Sequence, residues 1–236
     1  MNAGGEVMEG IVEAFRLVFS MDEDLWHIIL LSLQVSGMAI FLATIIGVPL
    51  GTFLGLYIKG KLSYISVIIY TLMGTPPVVV GLFIFLLLTR EGPLGHLGLL
   101  FTPSAMVMAQ TVLSLPLITG LTLLGVQERG RELTEVAITL GASPLRAAWT
   151  VVLESKNAIL GAVLAGFGRV IAEVGAVMIV GGNIEGQTRV MTTAILLEVR
   201  RGNIAFALGL GIILLILAFL FNFILYYLKQ ESKFEH

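Results

Sequence analysis

Two charged side chains lie inside an apolar stretch of this sequence at a spacing that would let them act together. Arg169 and Glu173 fall within the segment 147–180. Residues four apart share a helix face, where opposite charges can pair. Charges inside apolar spans are costly and usually face protein or water. The pair is predicted either to line a polar pathway or to be a structural ion pair that fixes its helix against its neighbours.

The composition places these charges in a membrane protein. Of 236 residues, 57% are hydrophobic and 13% charged, whereas soluble domains carry about 25% charged residues. One crossing needs about 20 apolar residues, and five segments qualify: 25–57, 64–89, 103–126, 147–180 and 204–228. The first and fourth exceed one crossing, so we expect tilt or helical extension beyond the hydrocarbon. The sequence predicts an all-α integral membrane protein with five transmembrane helices in one domain over 1–236.

Several other classes of protein and site are disfavoured. The chain has no cysteine, hence no disulfide or thiolate site, and its three histidines (His27, His96 and His236) are too scattered to predict a metal site. No basic tract suggests nucleic acid. It lacks a Gly-x-x-x-x-Gly-Lys-Ser/Thr loop for ATP, and it lacks the His-Glu-x-x-His and Gly-x-Ser-x-Gly patterns of hydrolytic enzymes. We therefore expect no catalytic residues, no metal and no bound cofactor in this chain.

The ends and loops suggest an orientation. Residues 7–19 combine apolar and acidic positions at helical spacing, which predicts an amphipathic helix at the membrane surface. Basic residues mark cytoplasmic loops, and most lie in the first and third loops and the C-terminal tail: Lys59, Lys61, Arg129, Arg131, Arg146, Lys229 and Lys233. The N-terminus is then outside and the C-terminus cytoplasmic. Three arginines in the last external loop count against this orientation: Arg189, Arg200 and Arg201.

Small residues recur at every fourth position of the first span, which also contains Pro49. They are Ala39, Ala43, Gly47, Gly51 and Gly55. Such a stripe lets two helix backbones approach closely in lipid, so we expect helix packing here. Pro49 is a candidate kink.

A charged segment between the third and fourth spans, 129–146, is predicted to form helix, turn and helix. Gly141 suits a helix C-terminus, Ser143 an N-cap and Pro144 the first turn. The preceding helix, about 131–140, has an apolar face with two acidic neighbours: Leu133, Val136, Ala137 and Leu140, beside Glu132 and Glu135. Such a helix can dock into a partner's groove. An ordinary connector is the alternative.

Two further segments could serve a transport pathway. In 74–81, Pro76 and Pro77 follow Thr75; adjacent prolines free carbonyls that survive at membrane depth only beside protein or water, which fits either a gate or a structural kink. The external loop 181–189 precedes a short helix expected over 190–199. Its residues Asn183, Thr188 and Arg189 suit the place where an anion enters, the docking of an external binding protein, or simple loop chemistry.

The segment Glu135-Val-Ala-Ile-Thr-Leu-Gly141 resembles the Glu-Ala-Ala-x-x-x-Gly loop of ABC-importer permeases. Val136 replaces the first alanine, and Leu153-Glu154 stands where the family often has Leu-Pro. The resemblance implies that this cytoplasmic coupling helix inserts into a cleft of an ATPase. It assigns the coupling role to nine residues: Glu132, Leu133, Glu135, Val136, Ala137, Leu140, Gly141, Ala142 and Arg146.

Longer stretches are similar to the molybdate/tungstate permeases, and most similar to the tungstate branch: 74–82, 168–176, 181–184 and 188–193. This similarity implies a type I ABC-importer permease fold in the cell membrane, a homodimer, two ATPase subunits that use ATP and Mg, and an external oxyanion-binding protein. For such a transporter we expect the pathway or gate at Thr75, Pro76, Pro77, Arg169 and Glu173, with a structural ion pair and a plain kink as the alternatives. The alternatives are a molybdate or sulfate permease, or an ion-coupled secondary transporter that uses Arg169 and Glu173.

Overall fold

The computed structural model describes residues 23–57 and 64–231, together with a few earlier residues: Gly5, Met8, Glu9, Ile11, Val12, Phe15 and Arg16. The predicted surface helix over 7–19 therefore lies mostly outside the described residues. Those of its residues that are described are helical and exposed.

Nine α-helices make up most of the described chain, joined by turns and a single 3₁₀ turn at Gly95–Leu97. They are α1 (Glu23–Tyr57), α2 (Tyr64–Met73), α3 (Pro77–Leu88), α4 (Pro103–Thr139), α5 (Pro144–Glu154), α6 (Lys156–Ile171), α7 (Gly175–Gly181), α8 (Met191–Arg201) and α9 (Ile204–Glu231). The described residues include no strand, and the predicted all-α fold is confirmed. Three helices are long and apolar enough to cross a membrane, or up to five if each of two bent helix pairs is one span.

Helix boundaries differ from the sequence prediction in three of the spans. The second segment, 64–89, is divided into α2 and α3, which are bent by 94° at the break. The fourth segment, 147–180, is not one tilted helix: α5 and α6 meet at Ser155 with a 62° bend, and α6 ends at Ile171. The polar residues 154–157 interrupt the apolar sequence at the bend, and beyond Ile171 the Glu173 carboxylate bonds to the Ala176 amide. The helix expected over 131–140 is not separate either. It is the last part of α4, because the residues after the third span are good helix formers and nothing among them stops a helix.

The helices divide into two compact units. The first contains the described residues of 1–38, 77–110 and 171–224. Its core joins the start of α1 to α8 and α9 through six buried apolar residues: Leu25, Ile29, Met191, Ala194, Leu210 and Ile213. A polar contact supports this core, since the Ser32 hydroxyl accepts from the Met191 amide at 2.8 Å and donates to the Ile28 carbonyl at 2.6 Å. The hydroxyl thus satisfies the first amide of α8.

The second unit, built from the described residues of 39–76, 111–170 and 225–236, packs the small-residue face of α1 on α4. A Cβ atom at Gly51 would lie 2.5 Å from the Thr119 carbonyl oxygen, and one at Gly55 would lie 2.8 Å from Val126. Real Cβ atoms do not approach so closely, so only glycine permits this contact. The predicted packing role of the stripe is confirmed. Pro49 lies within α1 without ending it.

We expect Gly51→Ala to lower the thermal midpoint of the purified chain, because the new methyl group must push apart the backbones of α1 and α4. Overpacking of this kind costs about 1–3 kcal/mol. Gly37→Ala is the matched control, since Gly37 lies in the same helix and a Cβ there meets nothing within 4 Å. It should leave the midpoint unchanged or raise it. Equal midpoints for the two variants in detergent would contradict the close approach at Gly51.

Candidate functional site

The turn after α4 is held by backbone hydrogen bonds that fix its shape. Gly141 has φ of +88°, its amide donates to the Ile138 carbonyl at 2.9 Å, and the Ala142 amide donates to the Ala137 carbonyl at 2.9 Å. These two bonds form the Schellman motif, which satisfies the last carbonyls of a helix. Ser143 then caps α5, since its hydroxyl accepts from the Arg146 amide at 3.4 Å. The predicted roles of Gly141, Ser143 and Pro144 are confirmed.

Large apolar side chains surround this turn and face outward. Leu140 and Leu145, one on each side of it, are each 82% exposed, and Val136 is 53% exposed. Of the other predicted coupling residues, three polar ones are exposed (Glu132, Glu135 and Arg146) and three small or apolar ones are half-buried (Leu133, Ala137 and Ala142). The turn therefore presents an apolar surface with charges at its edge, which is the composition of a docking surface.

Sequence reasoning missed the part of this surface that α5 contributes. Leu145, Trp149 and Leu153 are exposed and follow one another at intervals of four, while Ala147 and Val151 are fully buried on another face. The signal was present in the helical period of Pro144–Glu154. Because both faces of α5 are apolar, the sequence of its exposed face cannot be distinguished from a continuation of the fourth span.

The break between α2 and α3 is stabilised by Arg169. The Thr75 amide bonds to the Leu72 carbonyl at 3.1 Å, and prolines 76 and 77 supply no amide donor. The Thr75 carbonyl instead accepts from Nη2 of Arg169 at 3.0 Å. Nε of Arg169 is buried and has no hydrogen-bond partner in the described structure. The structure thus brings together Thr75 and Arg169, two of the residues predicted to line the pathway.

Glu173 lies beyond the helix that carries Arg169. Because α6 ends at Ile171, the expectation that Arg169 and Glu173 share one helical face is wrong. Glu173 is 8% exposed, and its Oε1 accepts from the Ala176 amide at the start of α7 at 3.0 Å. Its backbone carbonyl accepts from the Thr192 hydroxyl of α8 at 2.9 Å. Glu173 therefore joins the start of α7 to the start of α8.

The helix that Glu173 caps packs tightly on the helix that follows the prolines. A Cβ atom at Gly81 of α3 would lie 2.7 Å from the Ala176 Cα atom, and one at Gly175 would lie 2.8 Å from the Val78 side chain. Close contact of this kind requires glycine on each helix. The start of α7 is consequently fixed both by the Glu173 carboxylate and by α3.

The loop 181–189 is closed around Thr188. This residue is fully buried, its hydroxyl donates to the Gly181 carbonyl at 2.5 Å, and it accepts from the Ile184 amide at 3.0 Å. Asn183 adopts φ of +53°, and Arg189 forms an ion pair with Glu185 at 3.4 Å. The Thr188 hydroxyl shapes the loop, while three residues at its tip are exposed: Ile184, Glu185 and Gln187. The predicted short helix follows as α8, Met191–Arg201.

Comparison with known proteins agrees with this architecture. Residues 47–233 match the family described as binding-protein-dependent transport system inner membrane component. A tungstate uptake system permease protein of Peptoclostridium acidaminophilum is 41% identical over 225 residues, covering 95% of this chain and 99% of that protein. A probable anion ABC transporter permease protein of Haloferax volcanii is 44% identical over 191 residues, covering 79% and 82%. A molybdenum transport system permease protein of Azotobacter vinelandii is 28% identical over 204 residues, covering 83% and 90%.

The family match spans well over half of the chain, and its fold is that of the type I ABC-importer permease. Permease subunits of this family are membrane proteins and are not themselves catalytic. The all-helical architecture and the apolar spans are those of such a subunit. This chain belongs to the family of binding-protein-dependent transport system inner membrane components.

Proposed function

We propose that this chain is the membrane subunit of an ATP-driven importer that moves tungstate into the cell. Two copies form a homodimer, two ATPase subunits bind the dimer on its cytoplasmic side, and an external binding protein delivers the anion. The ATPase subunits bind and hydrolyse ATP with Mg. This chain supplies the pathway for the anion and the surface on which the ATPase subunits act to move the helices.

The exposed turn at Gly141 carries this proposal. Leu140 and Leu145 are each 82% exposed on a turn that the backbone holds in one shape. Burying such side chains on a partner contributes about 1.5–3 kcal/mol each, and the fixed turn limits the entropy lost on docking. A docked ATPase that moved would therefore move α4 and α5 together.

Tungstate is favoured over related oxyanions by the pattern of similarity. Two tungstate uptake permeases are 41% and 37% identical to this chain over nearly its whole length. Molybdenum and sulfate permeases are 28–34% identical over shorter stretches. We assign most of the selectivity to the binding protein, since the permease only has to let the anion pass.

The pathway residues have different roles in this proposal. Arg169 stabilises the proline break by bonding to the Thr75 carbonyl, and its buried Nε remains without a hydrogen-bond partner in the described structure. It therefore offers the passing anion a positive charge that already makes one hydrogen bond. A partly engaged charge attracts an anion without binding it too tightly to release. Pro76 and Pro77 keep the break from closing into a continuous helix.

The loop around Thr188 is the surface that we assign to the binding protein. Thr188 and Asn183 set its shape, and Arg189 is anchored to Glu185. The amides of Val190 and Met191 are already bonded to the Thr193 and Ser32 hydroxyls. The start of α8 therefore has fewer free donors for an anion, which favours protein docking at this loop.

Uptake by proteoliposomes tests the proposal. They would contain this permease with its ATPase subunits, and the binding protein would be added outside. We expect ATP-dependent accumulation of tungstate that excess molybdate reduces less than excess tungstate does, and that sulfate reduces least. Uptake that collapsed with an uncoupler while ATP was maintained would instead favour an ion-coupled transporter. Preference for molybdate or sulfate would overturn the substrate assignment alone.

We expect Gly141→Leu to uncouple ATP hydrolysis from uptake. A Cβ at this position meets nothing within 4 Å, so the cost comes from φ of +88°, which disfavours a side chain by about 1–2 kcal/mol. A cost of that size corresponds to roughly 5–30-fold weaker coupling. Uptake per ATP hydrolysed is the measurement, at matched membrane levels.

Two substitutions serve as controls for Gly141→Leu. Gly141→Asn should retain more coupling, because Asn tolerates positive φ. Gly161→Ala should behave as wild type, because Gly161 is helical and its Cβ would also meet open space. Wild-type coupling in Gly141→Leu would contradict the assigned role of the turn.

Cysteine labelling tests the orientation, with the N-terminus outside and the C-terminus in the cytoplasm. The chain contains no cysteine, so each introduced thiol reports alone. Gln187→Cys and Glu135→Cys both replace exposed side chains. An impermeant maleimide should label the first in intact cells and the second only after permeabilisation. The reverse pattern would invert the proposed topology.

A further inference from the structure

A small cavity with both apolar and oxygen-bearing lining residues lies beside Glu173, entirely within the first unit. Its volume is about 10 Å³, the space that one water-sized particle needs. Five of the residues that line it carry side-chain oxygens: Ser32, Ser36, Gln110, Glu173 and Thr192. They come from α1, α4, the linker after α6 and the first turn of α8, and each is at least 92% buried.

The carboxylate in this cavity lacks a compensating charge. Within the described part of the chain, Glu173 bonds through its carboxylate to the Ala176 amide, and the ion pairs are Arg189 with Glu185 and Arg201 with Glu198. The Glu173 carboxylate is thus buried, accepts one hydrogen bond and has no cationic partner among these residues.

The free-energy cost of burying a carboxylate indicates what the cavity must supply. A buried polar group without a hydrogen bond costs a few kcal/mol, whereas a buried charge without a counter-charge costs considerably more. A bound water would complete the hydrogen bonds of Glu173 but would leave its charge uncompensated. A cation of similar size would do both.

We propose that this cavity binds one monovalent cation, with the Glu173 carboxylate as counter-charge and the surrounding hydroxyl and amide oxygens as further ligands. Oxygen donors of this kind suit hard cations, and one carboxylate matches one positive charge. Divalent cations usually take more acidic ligands, and the described residues contain no group of three His, Cys, Asp or Glu side chains placed to hold a metal ion.

This cation would neutralise a buried negative charge in the unit that also contains the external loop. It would link α1, α4 and α8 through one set of oxygen ligands. The proposal concerns binding by this chain alone, so it stands whether or not the transported anion is tungstate. It requires no movement of the cation across the membrane.

The thermal midpoint of the purified full chain in lipid nanodiscs tests the proposal. NaCl would be titrated against N-methyl-D-glucamine chloride at constant ionic strength, with KCl and LiCl in parallel. When the NaCl concentration is about ten times the dissociation constant for Na⁺, the thermal midpoint should be roughly 3 °C higher than without Na⁺. Glu173→Gln keeps the size and a hydrogen-bond acceptor but removes the charge, so the rise should disappear. Glu91→Gln, which changes an exposed acidic residue elsewhere in the unit, should retain it.

Three outcomes would overturn the proposal. One is a wild-type midpoint that responds to none of the three cations. A second is an equal rise in Glu173→Gln, which would place the cation elsewhere. A third is a midpoint that rises with falling pH but not with Na⁺, which would mean that a proton neutralises Glu173. Should Glu173→Gln not fold, equilibrium binding of radioactive Na⁺ to wild type and to Ser36→Ala decides: we expect about one ion per wild-type chain and about threefold to tenfold weaker binding to the variant.

Discussion

A helix that breaks inside a membrane must have its freed backbone groups satisfied by the protein, because lipid offers no hydrogen bonds. This chain breaks its helices repeatedly, and at three of the breaks a side chain bonds to the backbone. The Arg169 guanidinium bonds to the Thr75 carbonyl, the Glu173 carboxylate bonds to the Ala176 amide, and the Thr188 hydroxyl bridges Gly181 and Ile184. These three polar side chains stabilise irregular backbone where continuous helices would be the default.

The turn at Gly141 follows a different logic, and the contrast separates the two kinds of site. Its backbone groups are satisfied by the backbone itself, through the amides of Gly141 and Ala142. The large apolar side chains around it are not buried within the chain, since Leu140 and Leu145 are each 82% exposed. A rigid turn with free apolar side chains is suited to contact with another protein, whereas Arg169 and Glu173 are committed to their own chain.

The sequence predicted the elements whose signals are local, and it missed those that depend on contacts. The Gly141–Pro144 turn follows from the intrinsic preferences of glycine, serine and proline, and the packing of Gly51 follows from the spacing of small residues. The end of α6 at Ile171 was not predicted, because nothing in the local sequence forbids a helix there. That break depends on Thr192 and Ala176, which bond to Glu173 from elsewhere in the fold.

The dependence of helix ends on distant contacts also explains why the sequence singled out Arg169 and Glu173 but did not predict their separate roles. Spacing alone made them a pair, and pairing would have cancelled both charges on one helix. Once α6 ends between them, each charge must be balanced separately: Arg169 acts on a carbonyl left by the proline break, and Glu173 faces an oxygen-lined cavity. Each side chain therefore supports a different break in the chain: Arg169 the one between α2 and α3, and Glu173 the one before α7.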